Sequence, residues 1–276
     1  MPEITVGKEN SAPIHLYYED HGIGKPVVLI HGWPLSGASW EKQMLALLGA
    51  GHRVITYDRR GFGMSSQPAI GYEYETLSED LNKLMLHLDL RDADLVGFSM
   101  GAGEVVRYLG KYGKDRVRKA VILSGITPYL LKSTNNPTGV DGSVFEKLKA
   151  GLAADRPGFL HAFLQDFYNF DTLEGTRISE HALTASWITA ILASPKAISD
   201  CVQAWLTDFR PDVLRMDLPT LIMHGAEDRI VPIASSAAVL AKSMKGAKFI
   251  SLEKAPHGIL WTHADKVNGE LVEFLR

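Results

Sequence analysis

The stretch of the chain with the clearest chemical potential is VGFSMGAG at residues 96–103, where Ser99 stands between Gly97 and Gly101. An apolar run precedes the serine and a helix-like run, EVVRYLGKYG, follows it. Gly-x-Ser-x-Gly in this setting is typical of a sharp strand-to-helix turn that strains the serine and exposes its Oγ. Glycine and Ala102 as neighbours provide the room for such a turn. The pattern predicts a nucleophilic Ser99; the alternative is a tight turn with an inert serine.

A serine hydroxyl needs a general base, and ten histidines compete for that role. For a strand–serine–helix nucleophile the chain order is Ser, then Asp or Glu, then His. His257, in APHG after the last strand-like run, would lie in a loop on the side of the sheet where Ser99 lies. His87 falls in a helix-like run, His224 at a strand end and His263 at a turn or helix start, so they are weaker candidates. We predict His257 as the base, against a loop histidine with only a structural hydrogen bond.

The base needs an acid that orients it, and HGAEDRIVP offers Glu227 and Asp228 side by side after the penultimate strand. Adjacent side chains point in different directions, so only one of the two carboxylates can face His257. We predict that Asp228 does so, which leaves Glu227 as a solvated charge or an ion-pair partner.

The oxyanion of an acyl-transfer reaction needs two backbone N–H donors. One is predicted at Met100, directly after the nucleophile, and the other at Trp33 in the loop HGWPLSG (31–37). The Trp33 side chain is either a wall of the acyl pocket or a contact with a lid. His31 is expected to shape this loop rather than to act as a second base.

The scaffold for these residues is indicated by the alternation of strand-like and helix-like runs along the chain. Strands are predicted at 15–20, 27–30, 53–58, 93–98, 119–125, 218–225 and 247–254. Helices are predicted at 39–50, 78–90 (with Ser78 at its start), 104–113 and 264–276. Such alternation predicts an α/β fold, a mostly parallel central sheet flanked by helices.

Between Ile126 and the later strands we find helix patterns and aromatic residues but no convincing strand. We therefore expect a core domain formed by 1–126 and 216–276, interrupted by a helical cap insertion at 127–215. Within FLHAFLQDFYNF (159–170), Phe159, Phe163, Phe167 and Phe170 have helix-like spacing. They are predicted either to pack the cap against the core or to line an apolar pocket over Ser99.

The composition excludes several classes of protein. With 46% hydrophobic residues, 22% charged residues and a net charge of -3, the chain is typical of a globular domain without the basic surface of a nucleic-acid or anionic-membrane binder. No apolar run is long enough to predict a membrane span. The single cysteine, Cys201, excludes an intrachain disulfide and a cysteine-rich metal site. The N-terminus lacks the pattern of a signal peptide, so we expect a cytoplasmic protein.

The motifs HGWPLSG, YDRRGFGMSS (57–66), GFSMG, HGAEDRIVP and APHGILWTH (255–263), in this order and spacing, resemble the α/β-hydrolase superfamily. More narrowly they resemble the cofactor-free haloperoxidase and arylesterase family. The resemblance implies a Ser99–Asp228–His257 triad, oxyanion donors at Trp33 and Met100, and no metal or haem. It also implies hydrolysis of small aryl or alkyl esters, and use of hydrogen peroxide in place of water to make peracids that oxidise halide. Some relatives open lactams, and many form homo-oligomers.

By the same resemblance the pocket walls are Trp33, Ile126, Phe163, Phe167 and Ile230. We expect a serine carboxylesterase or arylesterase with perhydrolase activity whose partners are a small-molecule ester and water or hydrogen peroxide. The alternatives are a lactamase or amidase using the same triad, and a non-enzymatic ligand receptor on the same fold. The charged run Asp58, Arg59 and Arg60 is interpreted as a structural brace near the site.

Overall fold

The centre of the molecule is an eight-stranded sheet, seen in a computed structural model that describes residues 1–276. The strands are β1 (Glu3–Glu9), β2 (Ala12–His21), β3 (Pro26–Ile30), β4 (Arg53–Tyr57), β5 (Ala93–Phe98), β6 (Val117–Leu123), β7 (Thr220–Gly225) and β8 (Lys248–Leu252). Their order across the sheet is β1-β2-β4-β3-β5-β6-β7-β8. The pairs β1–β2 and β2–β4 are antiparallel and the other five pairs are parallel. The predicted mostly parallel α/β fold is confirmed.

Helices flank this sheet. They are α1 (Glu41–Gly49), α2 (Tyr74–His87), α3 (Met100–Tyr112), α4 (Gly142–Ala154), α5 (Arg156–Tyr168), α6 (Phe170–Leu173), α7 (Glu180–Leu192), α8 (Pro195–Ala204), α9 (Arg210–Val213), α10 (Ala237–Ser243), α11 (Ile259–Thr262) and α12 (Ala264–Leu275). Every residue of β5 and of β7 is buried, because helices cover both faces of the central strands. None of the helices combines the length and the apolarity needed to cross a membrane.

Several elements differ from the sequence-based expectation: α10 has no predicted counterpart, and α3 begins at Met100 instead of residue 104. Strand β1, which has no predicted counterpart, adds an edge to the sheet with Ile4 and Val6 buried and its other side chains mostly exposed. Helix α2 begins at Tyr74 instead of Ser78, because Tyr74 and Leu77 are fully buried and extend the helix by one turn towards the core. Local polarity predicted a helix start at Ser78, but burial of Tyr74 and Leu77 places the start at Tyr74.

The chain between β6 and β7 carries six helices, α4 to α9, and only isolated β-bridges. Its helical character was expected, with one local difference. Asn169 has φ 47° and ψ 50°, a left-handed conformation that ends α5. Phe170 therefore begins the separate helix α6 and does not continue the face formed by Phe159, Phe163 and Phe167.

Candidate active site

Ser99 occupies the turn between β5 and α3 in a strained conformation, with φ 54° and ψ -115°. The glycines around it are required by close backbone packing. A Cβ on Gly97 would lie 2.5 Å from the carbonyl oxygen of Gly101, and a Cβ on Gly101 would lie 2.2 Å from that of Ile30. The local sequence thus permits a turn that lifts Ser99 above the end of the sheet.

Three side chains from distant parts of the chain meet at this turn. The Ser99 hydroxyl lies 2.9 Å from Nε2 of His257, where it can donate, and Nδ1 of His257 lies 2.7 Å from Oδ2 of Asp228. Asp228 follows β7 and His257 follows β8, so both loops leave the same edge of the parallel sheet as the serine turn. All three residues are buried, yet they form an unbroken chain of hydrogen bonds that can move a proton from Ser99 to His257.

Asp228 is held in its ionised form by four donors. Its Oδ1 accepts hydrogen bonds from the backbone N–H groups of Ile230 (2.9 Å) and Val231 (2.7 Å). Its Oδ2 lies within reach of His257 and also 3.0 Å from Nε2 of His224. Burial alone would raise the pKa of Asp228, but the two imidazoles outweigh burial and hold that pKa well below its usual range. The neighbouring Glu227 is exposed and its carboxylate has no partner in the chain.

His224 is the site residue whose role sequence reasoning missed. Its place at the end of β7 made it a weak candidate for the base, and it makes no hydrogen bond with Ser99. The structure places its Nε2 3.0 Å from Oδ2 of Asp228, the same oxygen that His257 contacts. The spacing His224 to Asp228, four residues across a tight turn at Gly225, was the available signal.

The two predicted oxyanion donors lie next to Ser99 in the chain and in the neighbouring loop. Met100 is the first residue of α3, so its N–H has no acceptor within the helix. The Trp33 N–H makes no hydrogen bond to the rest of the chain. Its loop passes close to the nucleophile, because a Cβ on Gly32 would lie 3.0 Å from Cβ of Ser99. Both N–H groups are therefore available beside the serine for a ligand oxygen.

A buried ionic network holds the Trp33 loop against α3. The Arg59 guanidinium donates to the His31 carbonyl oxygen (2.6 Å) and pairs with Glu104, one turn along α3 from Met100. The His31 ring accepts a hydrogen bond from the Arg59 N–H (3.0 Å), and burial lowers its pKa well below its usual range. His31 thus shapes the loop and forms no hydrogen bond with Ser99.

The other two residues of that charged run also brace loops. Asp58 accepts hydrogen bonds from the backbone N–H groups of Gly37 and Met64, each at 2.7 Å. Arg60 donates to both carboxylate oxygens of Asp80. These contacts fit the structural interpretation of residues 58–60.

Ser99 opens into a cavity of about 280 Å³ whose lining is almost wholly apolar. Four of the predicted wall residues line it: Trp33, Ile126, Phe163 and Ile230. Phe159, whose helix-like spacing made it a candidate for the lining, also lies in the wall. Further walls that the sequence did not single out are Leu130, Val140, Val144, Phe145, Leu148, Ala162, Trp205 and Val231. Asp166 and Arg229 are the only charged lining residues, and Arg229 is engaged by Asp171 at 2.8 Å.

Phe167, predicted as a wall residue, does not line this cavity. Its ring packs on the imidazole of His257, with 4.9 Å between ring centres, and lines a different cavity of about 190 Å³. Phe163 and Phe167 share a face of α5, but they lie one turn apart. Phe167 therefore lies over the His257 ring and not over Ser99.

Relatives along nearly the whole chain are known. Residues 25–264 match a family described as having the alpha/beta hydrolase fold. A putative non-heme chloroperoxidase of Synechocystis sp. is 57% identical over 100% of both chains. A bifunctional esterase/perhydrolase of Acinetobacter calcoaceticus is 35% identical over 95% of this chain and 96% of that protein. The crystal structure of a bromoperoxidase from Bacillus anthracis superposes with a TM-score of 0.95, at 47% identity and 99% coverage of each chain.

The chain belongs to the α/β-hydrolase family. Within that family it belongs with the non-heme haloperoxidases, because relatives of that group align with it from end to end at high identity. The resemblance indicated by the sequence motifs is confirmed at both levels.

Proposed function

We propose that the protein is a serine esterase that hydrolyses small neutral esters through an acyl-enzyme and also transfers the acyl group to hydrogen peroxide. The observation that carries this proposal is the hydrogen-bonded chain from Asp228 through His257 to Ser99 at the base of an apolar cavity. Esterase and haloperoxidase relatives support the same class of reaction.

In the proposed mechanism, Ser99 Oγ attacks the ester carbonyl while Nε2 of His257 accepts the hydroxyl proton. Negative charge that develops on the carbonyl oxygen is stabilised by the N–H groups of Trp33 and Met100. Asp228 holds the imidazole in its Nδ1–H form and stabilises the imidazolium. His257 then protonates the departing alkoxide, and the alcohol leaves with the acyl group bonded to Ser99.

Deacylation repeats these roles with a new nucleophile. His257 accepts a proton from water or hydrogen peroxide, whose oxygen attacks the acyl carbonyl, and then returns a proton to Ser99 Oγ. Water yields a carboxylic acid and peroxide yields a peracid, which is the species that can oxidise halide. The esterase/perhydrolase of Acinetobacter calcoaceticus, at 35% identity, supports the peroxide branch.

The cavity supports a limit on substrate class. A volume of about 280 Å³ admits a small acyl or alcohol group, and the aromatic rings of Trp33, Phe163 and Trp205 favour aryl or branched groups over long chains. Trp33 packs edge-on against Phe163 and Trp205, each at 4.9 Å between ring centres, which makes this wall rigid. Arg229 is engaged by Asp171 and has Asp166 3.7 Å away, so the mouth offers no free cation for a charged acyl group.

The proposal includes the division into a core domain at 1–126 and 216–276 and a cap at 127–215. All sheet strands lie outside the cap and α4 to α9 lie within it. The Trp33 indole N–H donates to the carbonyl oxygen of Ile198 in α8 (3.2 Å), and the Ser194 N–H donates to that of Gly61 (2.8 Å). Cys201, a buried free thiol, suits a reducing compartment such as the cytoplasm, which we propose as the location.

Replacement of the nucleophile tests the proposal. Ser99→Ala should lower kcat for p-nitrophenyl acetate by a factor on the order of 10⁶, as loss of a triad nucleophile does elsewhere, and should abolish peracid formation from the same ester and hydrogen peroxide. Circular dichroism and the melting temperature should match the unmodified protein. A variant that keeps more than a few per cent of either activity contradicts the proposal.

Two further measurements separate the alternative functions. Repeated turnover after the acylation burst identifies an enzyme, whereas a single burst with no turnover identifies a ligand receptor. A lactam hydrolysed faster than its matched ester identifies an amidase.

A further inference from the structure

The carboxylate of Asp228 contacts a second imidazole that the proposed mechanism does not use. His224, at the end of β7, is fully buried. Its Nε2 lies 2.8 Å from the carbonyl oxygen of Val231 and 3.0 Å from Oδ2 of Asp228. Its Nδ1 is buried and has no hydrogen-bond partner.

These contacts determine where the ring carries its hydrogen. Nε2 faces two oxygen acceptors, so a lone pair on Nε2 would be repelled by both, whereas an N–H can donate to both. A second hydrogen on Nδ1 would be buried without an acceptor, which is costly. His224 is therefore in its Nε2–H form, with this N–H bonded to the carbonyl oxygen of Val231 and close to Oδ2 of Asp228.

We infer that His224 is a positioning residue of the triad, one that holds Oδ2 of Asp228 towards His257 and withdraws negative charge from that oxygen. The inference rests on the proposed function and deepens it. Oδ1 is occupied by the N–H groups of Ile230 and Val231, so His224 supplies the remaining contact that prevents the carboxylate from rotating. The low pKa of Asp228 agrees with this set of donors.

The direction of the effect on the base follows from electrostatics. A donor on Oδ2 weakens the attraction between Asp228 and a protonated His257. Loss of that donor strengthens the attraction, so His257 keeps its proton to a higher pH. Since only the neutral imidazole can accept the Ser99 proton, the acid limb of the activity profile should move to higher pH.

Other charged groups near the pair do not compete for this role. Asp228 forms hydrogen bonds or ion pairs with no titratable side chains other than His224 and His257. The charged residues on the elements packed around it are Asp166 on α5, Asp171 on α6, Glu227 and Arg229 on its own loop, and Glu253 and Lys254 after β8. Arg229 is turned towards Asp171, and the other side chains are exposed.

Three variants test the inference by the pH dependence of kcat/KM on p-nitrophenyl acetate, with the active fraction set by the acylation burst. His224→Leu removes the donor. His224→Gln restores an N–H near the position of Nε2. Glu227→Gln, a matched change on the exposed neighbour, is the control.

We expect His224→Leu to raise the midpoint of the acid limb by roughly half a pH unit or more and to lower kcat by about tenfold. His224→Gln should bring the midpoint back towards that of the unmodified protein, and Glu227→Gln should leave it in place. A folded His224→Leu protein with an unchanged midpoint overturns the inference, because a role in packing alone would alter the melting temperature without moving the acid limb.

A measurement on the unmodified protein covers the case in which His224→Leu does not fold. Long-range ¹H–¹⁵N correlation spectra of the histidine rings, assigned through the backbone, report which nitrogen carries hydrogen. We expect the Nε2–H form for His224, and the Nδ1–H form overturns the inference. Ser99→Ala, assayed in parallel, separates failure of the proposed function from failure of this inference. If Ser99→Ala is active, the proposed function is refuted. If Ser99→Ala is inactive and the acid limb of His224→Leu does not move, only the role of His224 is refuted.

Discussion

At the residue scale, Asp228 and Glu227 are adjacent carboxylates with opposite environments. Asp228 is buried among four donors, whereas the Glu227 carboxylate is exposed and has no partner. Because the pKa of Asp228 is held well below its usual range, the carboxylate stays ionised at neutral pH. The ionised Asp228 stabilises the fold fully at any pH above the pKa of the group in the unfolded chain, which is about 4. This stabilisation is lost as the pH falls through the lower pKa that Asp228 has in the folded protein.

Exchange of each carboxylate for its amide separates the two residues. Asp228→Asn should lower kcat for ester hydrolysis by about 10⁴, the loss seen for this change in a serine protease triad, since the amide favours the wrong tautomer of His257. Glu227→Gln should leave kcat within a few-fold of the unmodified protein. Steady-state kinetics at one pH near neutrality suffice, and a larger loss for Glu227→Gln than for Asp228→Asn would show that the wrong acid has been chosen.

At the scale of the elements, the turn from β5 into α3 depends on the absence of a side chain at Gly101. A Cβ there would lie 2.2 Å from the backbone oxygen of Ile30 at the end of β3. Neither element can yield easily, because β3 is bonded to β4 and β5 on both sides and α3 is anchored by Glu104 to Arg59. The position of the serine is thus fixed by the packing of two regular elements.

Gly101→Ala should therefore disturb both stability and catalysis. We expect a loss of about 1–3 kcal/mol in the free energy of unfolding by urea. Ester hydrolysis should fall on the order of 10²-fold, because a displacement of about 1 Å at the serine is enough for that. Gly269→Ala in α12 is the control: no atom lies within 4 Å of its Cβ, so alanine should stabilise the helix by about 0.5–1 kcal/mol. Equal stabilities for the two variants would contradict this account.

At the scale of the whole molecule, the reactivity of Cys201 measures how closely the cap packs on the core. Cys201 lies in α8, which contacts the core through Ile198. The Cys201 side chain is fully buried. Burial raises the pKa of the Cys201 thiol to about 12, so the thiolate that reacts with disulfide reagents is scarce at neutral pH.

In the folded protein at pH 8, we expect Cys201 to react with a disulfide reagent such as dithionitrobenzoate only as fast as the cap opens. In guanidinium chloride one thiol per chain should react at once. Cys201→Ser, which should release no colour under either condition, is the control. Stoichiometric labelling of the native protein within seconds would contradict a cap packed closely on the core.

Local pattern and chain order were enough to predict the fold class and to nominate Ser99, Asp228 and His257. The predicted strand at 93–98 coincides with β5, because an apolar run before a glycine-rich turn has few other conformations open to it. Parallel strands also end at one edge of the sheet, so residues after different strands could be expected to meet there.

Contacts between distant segments decided the rest. Helical period places Phe163 and Phe167 on one face of α5, but the docking of that helix determines that Phe163 lines the cavity while Phe167 covers His257. The sequence did not show the contacts of His224. They depend on the conformation of the loop after β7, which brings the Asp228 carboxylate and the Val231 carbonyl oxygen back to the His224 ring. Periodicity depends on residues that are close along the chain. What a helix face packs against, and which atom hydrogen-bonds to a buried nitrogen, depend on elements that are far apart in the sequence.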